Sequence, residues 1–123
     1  MIGYVTLGVS DIEKAKAFYG ELLKELGASQ QFDAERIVFF GKSMAEPMIA
    51  VCIPYDEQPN HCGNGNMVAL TAGSKEDVDA LYKKAIELGA TCDGEPGQRI
   101  PDMFYGAYVR DADNNKIAFF VFG

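Results

Sequence analysis

Alternating hydrophobic and polar positions predict a strand near the start of the chain. Val5, Leu7 and Val9 are apolar, whereas Thr6 and Gly8 between them are polar or small. A period of two residues is typical of a strand with one buried face, because successive side chains point to opposite sides of a sheet. The chain therefore opens with a strand that we expect to contribute one face to a hydrophobic core.

A helix is predicted directly after this strand. Apolar residues recur at helical spacing over Asp11–Leu26, which indicates one buried stripe on an amphipathic helix. Ser10, with Glu13 three residues later, has the spacing of a capping box at a helix start. Gly27 stands where a helix end favours a residue with left-handed backbone geometry.

The second half of the chain repeats this pattern. The tetrapeptide Glu25–Ala28 recurs as Glu87–Ala90, about half the chain later. Before the second copy, Met67–Ala72 alternates as a strand, Ser74 can open a helix, and Lys75–Leu88 has helical periodicity. Matching surroundings make an internal duplication the better explanation of the repeat.

Three strand-like runs follow each predicted helix, separated by turn-forming residues. A stretch rich in Pro and Gly, Ile53–Asn66, is interpreted as a linker between the halves. We therefore predict an α+β fold of two tandem βαβββ modules, approximately 1–57 and 66–123, within a single domain of residues 1–123. The runs are Ala28–Phe32, Arg36–Phe40 and Met48–Ile53 in the first half, and Ala90–Asp93, Tyr105–Arg110 and Lys116–Phe122 in the second.

Strand alternation also sorts the side chains into a helix-facing set and a set lining an open, concave face. The helix-facing set is Val5, Leu7, Val68, Leu70, Ile117, Phe119 and Val121. A concave, mostly apolar surface with a few polar groups is the usual form of a ligand site. The predicted ligand-binding residues are accordingly Tyr4, Thr6, Met67, Ala69, Tyr108, Ala118 and Phe120.

Composition and charge narrow the class of partner. The chain has 123 residues, of which 48% are hydrophobic and 24% charged, as in an ordinary globular domain. Its formal net charge of -7 argues against nucleic acid and anionic membranes, since both are bound through basic surfaces. A neutral or cationic small molecule is compatible with this charge.

The cysteines and the N-terminal residues indicate the compartment. Cys52, Cys62 and Cys92 form no Cys-x-x-Cys pair and are odd in number, so we expect free thiols in a reducing cytosol. Met1–Val9 lacks the basic and apolar regions of a signal peptide, and no run approaches the length of a membrane span. We expect a cytoplasmic protein.

Four segments carry a resemblance to a known superfamily. Met1–Asp11 resembles its opening strand and helix start, and Ala17–Tyr19 resembles its first-helix signature. Gly63–Ala69 resembles the start of the second module, and Tyr105–Ile117 resembles the final hairpin. Ala112 and Asn114 of this hairpin replace the usual Pro and Gly of its turn. The chain thus resembles the vicinal-oxygen-chelate superfamily: glyoxalases, extradiol dioxygenases, fosfomycin-resistance enzymes and bleomycin-binding proteins.

The resemblance implies three positions for metal ligands, and this chain has other residue types at all three. Metal-dependent relatives place a His on the first strand, a His on the matching strand and a Glu on the last strand. Here the corresponding residues are Tyr4, Met67 and Ala118. Methionine is a soft ligand and alanine is none, so we expect no conventional metal and no other cofactor. His61, the only histidine, falls in the predicted linker.

Two functions remain open at this stage. The first is metal-independent binding or sequestration of a small molecule, as the resemblance to bleomycin-binding proteins implies. The alternative is a glyoxalase-family lyase or another enzyme whose metal site is atypical or absent, with catalytic residues unknown. His61 and Cys62 are interpreted as loop residues, and Arg110 as an exposed charge at a strand end. By resemblance we also expect a homodimer with pockets at or near the subunit interface.

Overall fold

A computed structural model describes all residues from 1 to 123. The chain divides into two compact units, Met1–Cys62 and Gly63–Gly123. Each unit contains one strand, one helix and three further strands, in that order. The predicted α+β fold of two tandem βαβββ modules is therefore confirmed. Neither helix has the length and hydropathy that crossing a membrane would require.

The N-terminal unit is a four-stranded sheet with one helix. Parallel pairing joins β1 to β4, and antiparallel pairing joins β4 to β3 and β3 to β2, which gives the order β1-β4-β3-β2. In chain order its elements are β1 (Tyr4–Gly8), α1 (Ile12–Lys24), β2 (Ser29–Asp33), β3 (Ile37–Gly41) and β4 (Met48–Cys52).

The C-terminal unit repeats this arrangement. Its sheet order is β5-β8-β7-β6, and again only the pair formed by the first and last strands, β5 and β8, is parallel. Its elements are β5 (Val68–Thr71), α2 (Lys75–Glu87), β6 (Thr91–Ile100), β7 (Phe104–Arg110) and β8 (Lys116–Phe122).

Each unit has a core between its helix and one face of its sheet. In the N-terminal unit the helix buries Ala15, Tyr19, Leu22 and Leu23, and the sheet buries Leu7, Val38, Phe40, Ile49 and Val51. In the C-terminal unit α2 buries Val78, Leu81 and Ala85, and the sheet buries Ala107, Val109, Ile117 and Phe119. The predicted helix-facing residues Leu7, Ile117 and Phe119 are buried as expected, whereas Val5, Val68, Leu70 and Val121 are only partly so.

The repeated tetrapeptide ends both helices in the same way. Gly27 has a φ of +78°, and the next residue, Ala28, donates its N–H to the carbonyl oxygen of Leu23 at 3.1 Å. Gly89 has a φ of +106° and is followed by the corresponding bond from Ala90. This pairing is a Schellman motif, which uses a left-handed residue to satisfy the last helical carbonyl groups.

One of the two predicted helix starts is confirmed and the other is wrong. Ser74 caps α2, since its side chain accepts a hydrogen bond from the Asp77 N–H, at 3.1 Å. The prediction that Ser10 caps α1 is wrong by one residue. Asp11 is the N-cap, and its carboxylate accepts the Lys14 N–H at 3.1 Å. Both residue types cap well, so the choice depends on where helical backbone angles begin.

The predicted end of β6 at Asp93 is also wrong, since the strand continues to Ile100. Gly94, Pro96 and Gly97 look like turn residues in the sequence. In the structure they belong to an irregular strand whose register against β7 shifts three times. Bulges accommodate such residues within a sheet.

The closing hairpin keeps its turn despite the missing proline and glycine. Asn114 takes a φ of +68°, the left-handed conformation that asparagine tolerates better than most residues. The buried carboxylate of Asp111 accepts the N–H groups of Asp113 and Asn115, at 2.9 and 2.8 Å. These bonds orient β7 and β8 for pairing.

Candidate functional site

A cavity of about 490 Å³ lies within the N-terminal unit. Strands β1, β3 and β4 supply one part of its wall, and the segment that follows β4, residues 53–61, supplies the other. The lining residues are Tyr4, Thr6, Gly8, Arg36, Ile37, Cys52, Pro54, Tyr55, Asp56, Pro59, Asn60 and His61. The interpretation of Ile53–Asn66 as a linker alone therefore misses half of this wall.

The sheet part of the wall follows from strand alternation. Tyr4, Thr6 and Gly8 lie on the face of β1 opposite to Leu7, which is buried. The register places Gly8 beside Cys52 and Cys52 beside Ile37, so one cross-strand row reaches the cavity from three strands. Sequence periodicity therefore determines which side chains of β1 can meet a ligand.

Hydrogen bonds hold the segment 53–61 against these strands. The Ile53 N–H donates to the carbonyl oxygen of Arg36 at 2.9 Å, which extends the pairing of β3 and β4 by one residue. Further along, the side-chain amide of Asn60 donates to the Gly8 carbonyl oxygen at 3.1 Å. The two ends of the segment are thus fixed to β3 and β1.

Glycine at position 8 permits this close approach. A Cβ atom added to Gly8 would lie 3.1 Å from the Cβ of Asn60, tighter than most van der Waals contacts. A larger residue would displace Asn60 or the strand. Gly8 therefore contributes to the cavity through its small size.

Two aromatic side chains shape the cavity. Tyr4 packs edge-on against Phe39 with ring centroids 4.9 Å apart, and 53% of its surface stays exposed. Tyr55 is 88% exposed and lies under the guanidinium of Arg36, 5.4 Å from ring centroid to guanidinium carbon. Both rings can offer apolar area and a hydroxyl group to a bound molecule.

Arg36 is the cation of this wall. One of its terminal nitrogens donates to the carbonyl oxygen of Ile53 at 2.7 Å. The five ion pairs of the chain do not include Arg36, although Asp56 lines the same cavity. One Asp56 oxygen instead accepts the Gln58 N–H at 3.0 Å. The remaining N–H donors of Arg36 are available to a ligand.

His61 lines the cavity and is exposed to solvent. Sequence reasoning assigned it to a polar loop, and it does lie in a loop, but that loop faces a cavity. Its neighbour Cys62 is not part of the lining, as expected for adjacent residues that point in different directions. An imidazole at this position can donate a hydrogen bond to a bound molecule or accept one from it.

Only two of the seven predicted ligand-binding residues line this cavity, namely Tyr4 and Thr6. The other five belong to the C-terminal unit: Met67, Ala69, Tyr108, Ala118 and Phe120. Met67 and Ala69 are exposed, Tyr108 and Phe120 are partly buried, and Ala118 has 0% exposure. The register places Ala69, Ala118 and Tyr108 side by side on the sheet, as alternation predicts.

Tyr108 lies among cations. Its ring centroid is 5.4 Å from the guanidinium carbon of Arg99 and 5.0 Å from the ammonium nitrogen of Lys116. Asp93 pairs with Lys116 and with Arg110, each at 3.1 Å. The hydrogen bond from Lys116, with the charges of both cations, holds the pKa of Asp93 below its ordinary value of 3.8. Arg110 is thus engaged within the protein.

Phe120 belongs to an aromatic cluster at the end of the C-terminal sheet. Its ring stacks on Phe104 at 5.2 Å and meets Phe122 edge-on at 5.1 Å. Phe122 itself is 72% exposed. None of the three phenylalanine side chains carries a polar atom, so Phe120 offers a ligand only hydrophobic contact.

The residues at the family's metal positions do not fit a metal. Tyr4 can offer a phenolic oxygen, Met67 a thioether sulfur, and Ala118 no donor atom. No group of three or more His, Cys, Asp or Glu side chains comes together elsewhere in the structure. Divalent ions of this superfamily need imidazole or carboxylate ligands.

The sequence matches one protein-family model along almost its whole length. The model of the Glyoxalase/Bleomycin resistance protein/Dioxygenase superfamily matches residues 1–119. The chain belongs to this superfamily. The resemblance drawn from the four sequence segments is therefore confirmed.

Several solved structures resemble the chain along nearly its whole length. A glyoxalase/bleomycin resistance protein from Albidiferax ferrireducens T118 is 34% identical with a TM-score of 0.88, covering 98% of this chain and 97% of its own. A hypothetical protein from S. aureus is 25% identical with a TM-score of 0.76, covering 98% and 92%. A fosfomycin resistance protein from Listeria monocytogenes is 21% identical with a TM-score of 0.75, covering 98% and 92%, and shows the fold alone. No curated protein matches the sequence significantly.

The cavity residues that sequence reasoning missed have one signal in common. Most of them lie in the long irregular stretch between the modules, Ile53–Asn66, which carries the only histidine and an isolated tyrosine. Structureless segments of this length inside a compact domain are uncommon and are often functional. The length of the segment was therefore a better indicator than its residues taken one at a time.

Proposed function

We propose that this protein binds a small organic molecule in the cavity of the N-terminal unit, without the metal of its enzymatic relatives. The observation that supports the proposal is the cavity itself, about 490 Å³ in volume, with aromatic, aliphatic and polar side chains converging on it. Sites for small molecules have volumes of about 300–1,000 Å³ and combine apolar walls with a few polar groups.

Metal independence is part of this proposal, and the donor chemistry of Tyr4, Met67 and Ala118 supports it. The test is elemental analysis of protein purified without an affinity tag. We expect substoichiometric Zn, Ni, Mn and Fe, and no rise in unfolding temperature when these ions are added. About one ion per chain, lost in Tyr4→Phe, would contradict metal independence.

The ligand-binding test compares two regions. A thermal-shift screen against diverse metabolites and antibiotics selects binders, because binding to the native state raises the unfolding temperature. Each binder is then measured with Thr6→Asp, which places a charge in the cavity wall, and with Tyr108→Asp in the C-terminal unit. We expect Thr6→Asp to abolish binding. Loss in Tyr108→Asp alone would move the site to the residues predicted on the second sheet.

One observation favours a second candidate, an enzyme that works without a metal. The sequence offered no general base on the predicted open face, but the structure places His61 in the cavity wall. A histidine within reach of a bound molecule can act as a general base. Turnover of the methylglyoxal–glutathione adduct, measured with the parent chain and with His61→Gln, tests this candidate. Activity that is lost in His61→Gln would favour the lyase.

A homodimer in the cytoplasm is the remaining part of the proposal. The superfamily resemblance supports the dimer, as do apolar side chains exposed on each unit, such as Tyr4 and Phe122. None of the three cysteines forms a disulfide, which suits a reducing compartment. Sedimentation at micromolar concentration tests the dimer, and a single species of 13.4 kDa would contradict it.

A further inference from the structure

We infer that the ligand of the N-terminal cavity carries an oxyanion, a carboxylate or phosphate group, which Arg36 binds. This inference rests on the proposed function and names the chemical class of its ligand: an apolar body with one anionic end. The net charge of -7 alone favours neutral or cationic molecules. The cavity wall departs from this average, and three features support the inference: two concern Arg36 and one concerns the rest of the wall.

The first feature is that Arg36 forms no ion pair in a strongly acidic chain. Acidic residues outnumber basic ones by 18 to 11, so the chain has more carboxylates than cations to pair with them. Arg110, for comparison, is paired with Asp93 at 3.1 Å. Arg36 makes no such pair, even though Asp56 lines the same cavity. Its charge is therefore not neutralised within the protein.

The second feature is that the guanidinium of Arg36 is held in place. One terminal nitrogen donates to the Ile53 carbonyl oxygen at 2.7 Å, and the ring of Tyr55 lies against the guanidinium at 5.4 Å. A fixed guanidinium loses less conformational entropy on binding than a free one. Four N–H groups remain after the bond to Ile53, in the fork geometry that matches the oxygens of a carboxylate or phosphate.

The third feature is the composition of the rest of the wall. His61 adds an imidazole N–H that can donate a hydrogen bond. Ile37, Pro54 and Tyr4 supply the apolar surface that an organic body needs. Asp56 is the only carboxylate of the wall, and one of its oxygens already accepts the Gln58 N–H. The wall thus offers the cationic donor groups of Arg36 beside an apolar surface.

The experiment uses four probes with one ring system and different charge: 2-naphthoate, 2-naphthyl phosphate, 2-naphthamide and 2-naphthylmethylammonium. Binding is followed by backbone amide chemical shifts of cavity residues in the full chain. We expect the parent protein to bind at least one of the two anions about tenfold or more tighter than the neutral amide. The two anionic arms distinguish a carboxylate ligand from a phosphate.

Arg36→Gln should reduce this preference to less than about threefold, because it should weaken binding of the anions more than binding of the amide. Lys42→Gln is the matched control, because it removes the same charge from an exposed position outside the cavity lining. The anion preference should survive in Lys42→Gln. Arg36→Lys keeps the charge but loses the fork, and should retain part of the preference.

Several outcomes would overturn the inference. These are equal affinity for the amide and the anions in the parent protein, tightest binding of the ammonium probe, and an anion preference that Arg36→Gln leaves intact. An equal loss of affinity for all probes in Arg36→Gln would assign Arg36 a structural role through its bond to Ile53. Binding of the amide alone would leave the proposed function standing, whereas cavity amides that respond to no probe, nor to any binder from the screen, would contradict both.

Discussion

The side-chain amide of Asn60 donates a hydrogen bond to the backbone carbonyl oxygen of Gly8 at 3.1 Å, across 52 residues of sequence. This bond fixes the segment between the modules to the first strand. The cavity exists because the segment 53–61 lies against the sheet face that α1 leaves open. Five predictions rest on this and other features of the structure.

Asn60→Ala should destabilise the protein by about 1 kcal/mol and loosen the wall of the cavity. The substitution removes one side chain–backbone hydrogen bond, the one between the Asn60 amide and the Gly8 carbonyl oxygen. Urea unfolding measures the stability, and hydrogen exchange measures the opening of residues 53–61. Gln58→Ala, at an exposed position of the same segment, is the control. An equal loss in both variants would show that the bond has no particular role.

Gly89→Ala should lower the free energy of unfolding by about 1 kcal/mol, because the left-handed backbone at this position disfavours any residue with a Cβ atom. Gly89 has a φ of +106°, and an added Cβ would meet no atom within 4 Å, so no steric clash contributes. Gly3→Ala is the control, because it also meets no atom within 4 Å and lacks a positive φ. Chemical denaturation of both variants provides the comparison, and a loss in Gly3→Ala as large as in Gly89→Ala would refute the backbone explanation.

Asp11→Ala should destabilise the chain by about 1 kcal/mol, whereas Asp11→Asn should change little. The carboxylate of Asp11 accepts the Lys14 N–H at the start of α1, and asparagine can replace it in that role. The thermal unfolding temperatures of the two variants separate the hydrogen bond from the charge. If Asp11→Asn lost as much stability as Asp11→Ala, the interaction of the charge with the helix dipole would be the larger effect.

The stability of the protein should fall in acid, in part through Asp93. The hydrogen bond from Lys116 lowers the pKa of Asp93 below 3.8, so its contribution is complete above that pH and is lost as the pH falls through the lower, folded-state pKa. Unfolding temperatures between pH 7 and 2 should therefore decline less in Asp93→Asn than in the parent chain. Lys116→Gln should also reduce the decline of the unfolding temperature at acid pH. A decline as steep as that of the parent chain in both variants would contradict this role.

Asp33 should add to the same acid sensitivity in the N-terminal unit. Its hydrogen bond from Lys16, at 2.8 Å, and the bond from the Glu35 N–H lower its pKa. The contribution of Asp33 has the same sign as that of Asp93, because both carboxylates are stabilised in their charged forms. A variant with both aspartates replaced by asparagine should therefore show the smallest decline in unfolding temperature between pH 7 and 2.

The sequence by itself determined the elements and the fold class of this protein. Periods of two and of about 3.6 residues are local properties, and they placed both helices and seven of the eight strands to within a few residues. The exception, β6, runs on through Gly94, Pro96 and Gly97, because pairing with β7 accommodates an irregular strand that no local pattern reveals. The cap at Asp11 rather than Ser10 is a smaller case of the same kind.

The sequence determined only part of the candidate site. Alternation along β1 assigned Tyr4 and Thr6 to the face opposite α1, and both line the cavity because strand geometry leaves no other choice. Arg36 and His61 came into the site only with the tertiary structure. Their positions depend on how the segment 53–61 returns to the sheet, through a bond from Asn60 to a residue 52 positions earlier. Contacts of that separation are set by packing and chain closure, which a local sequence pattern does not encode.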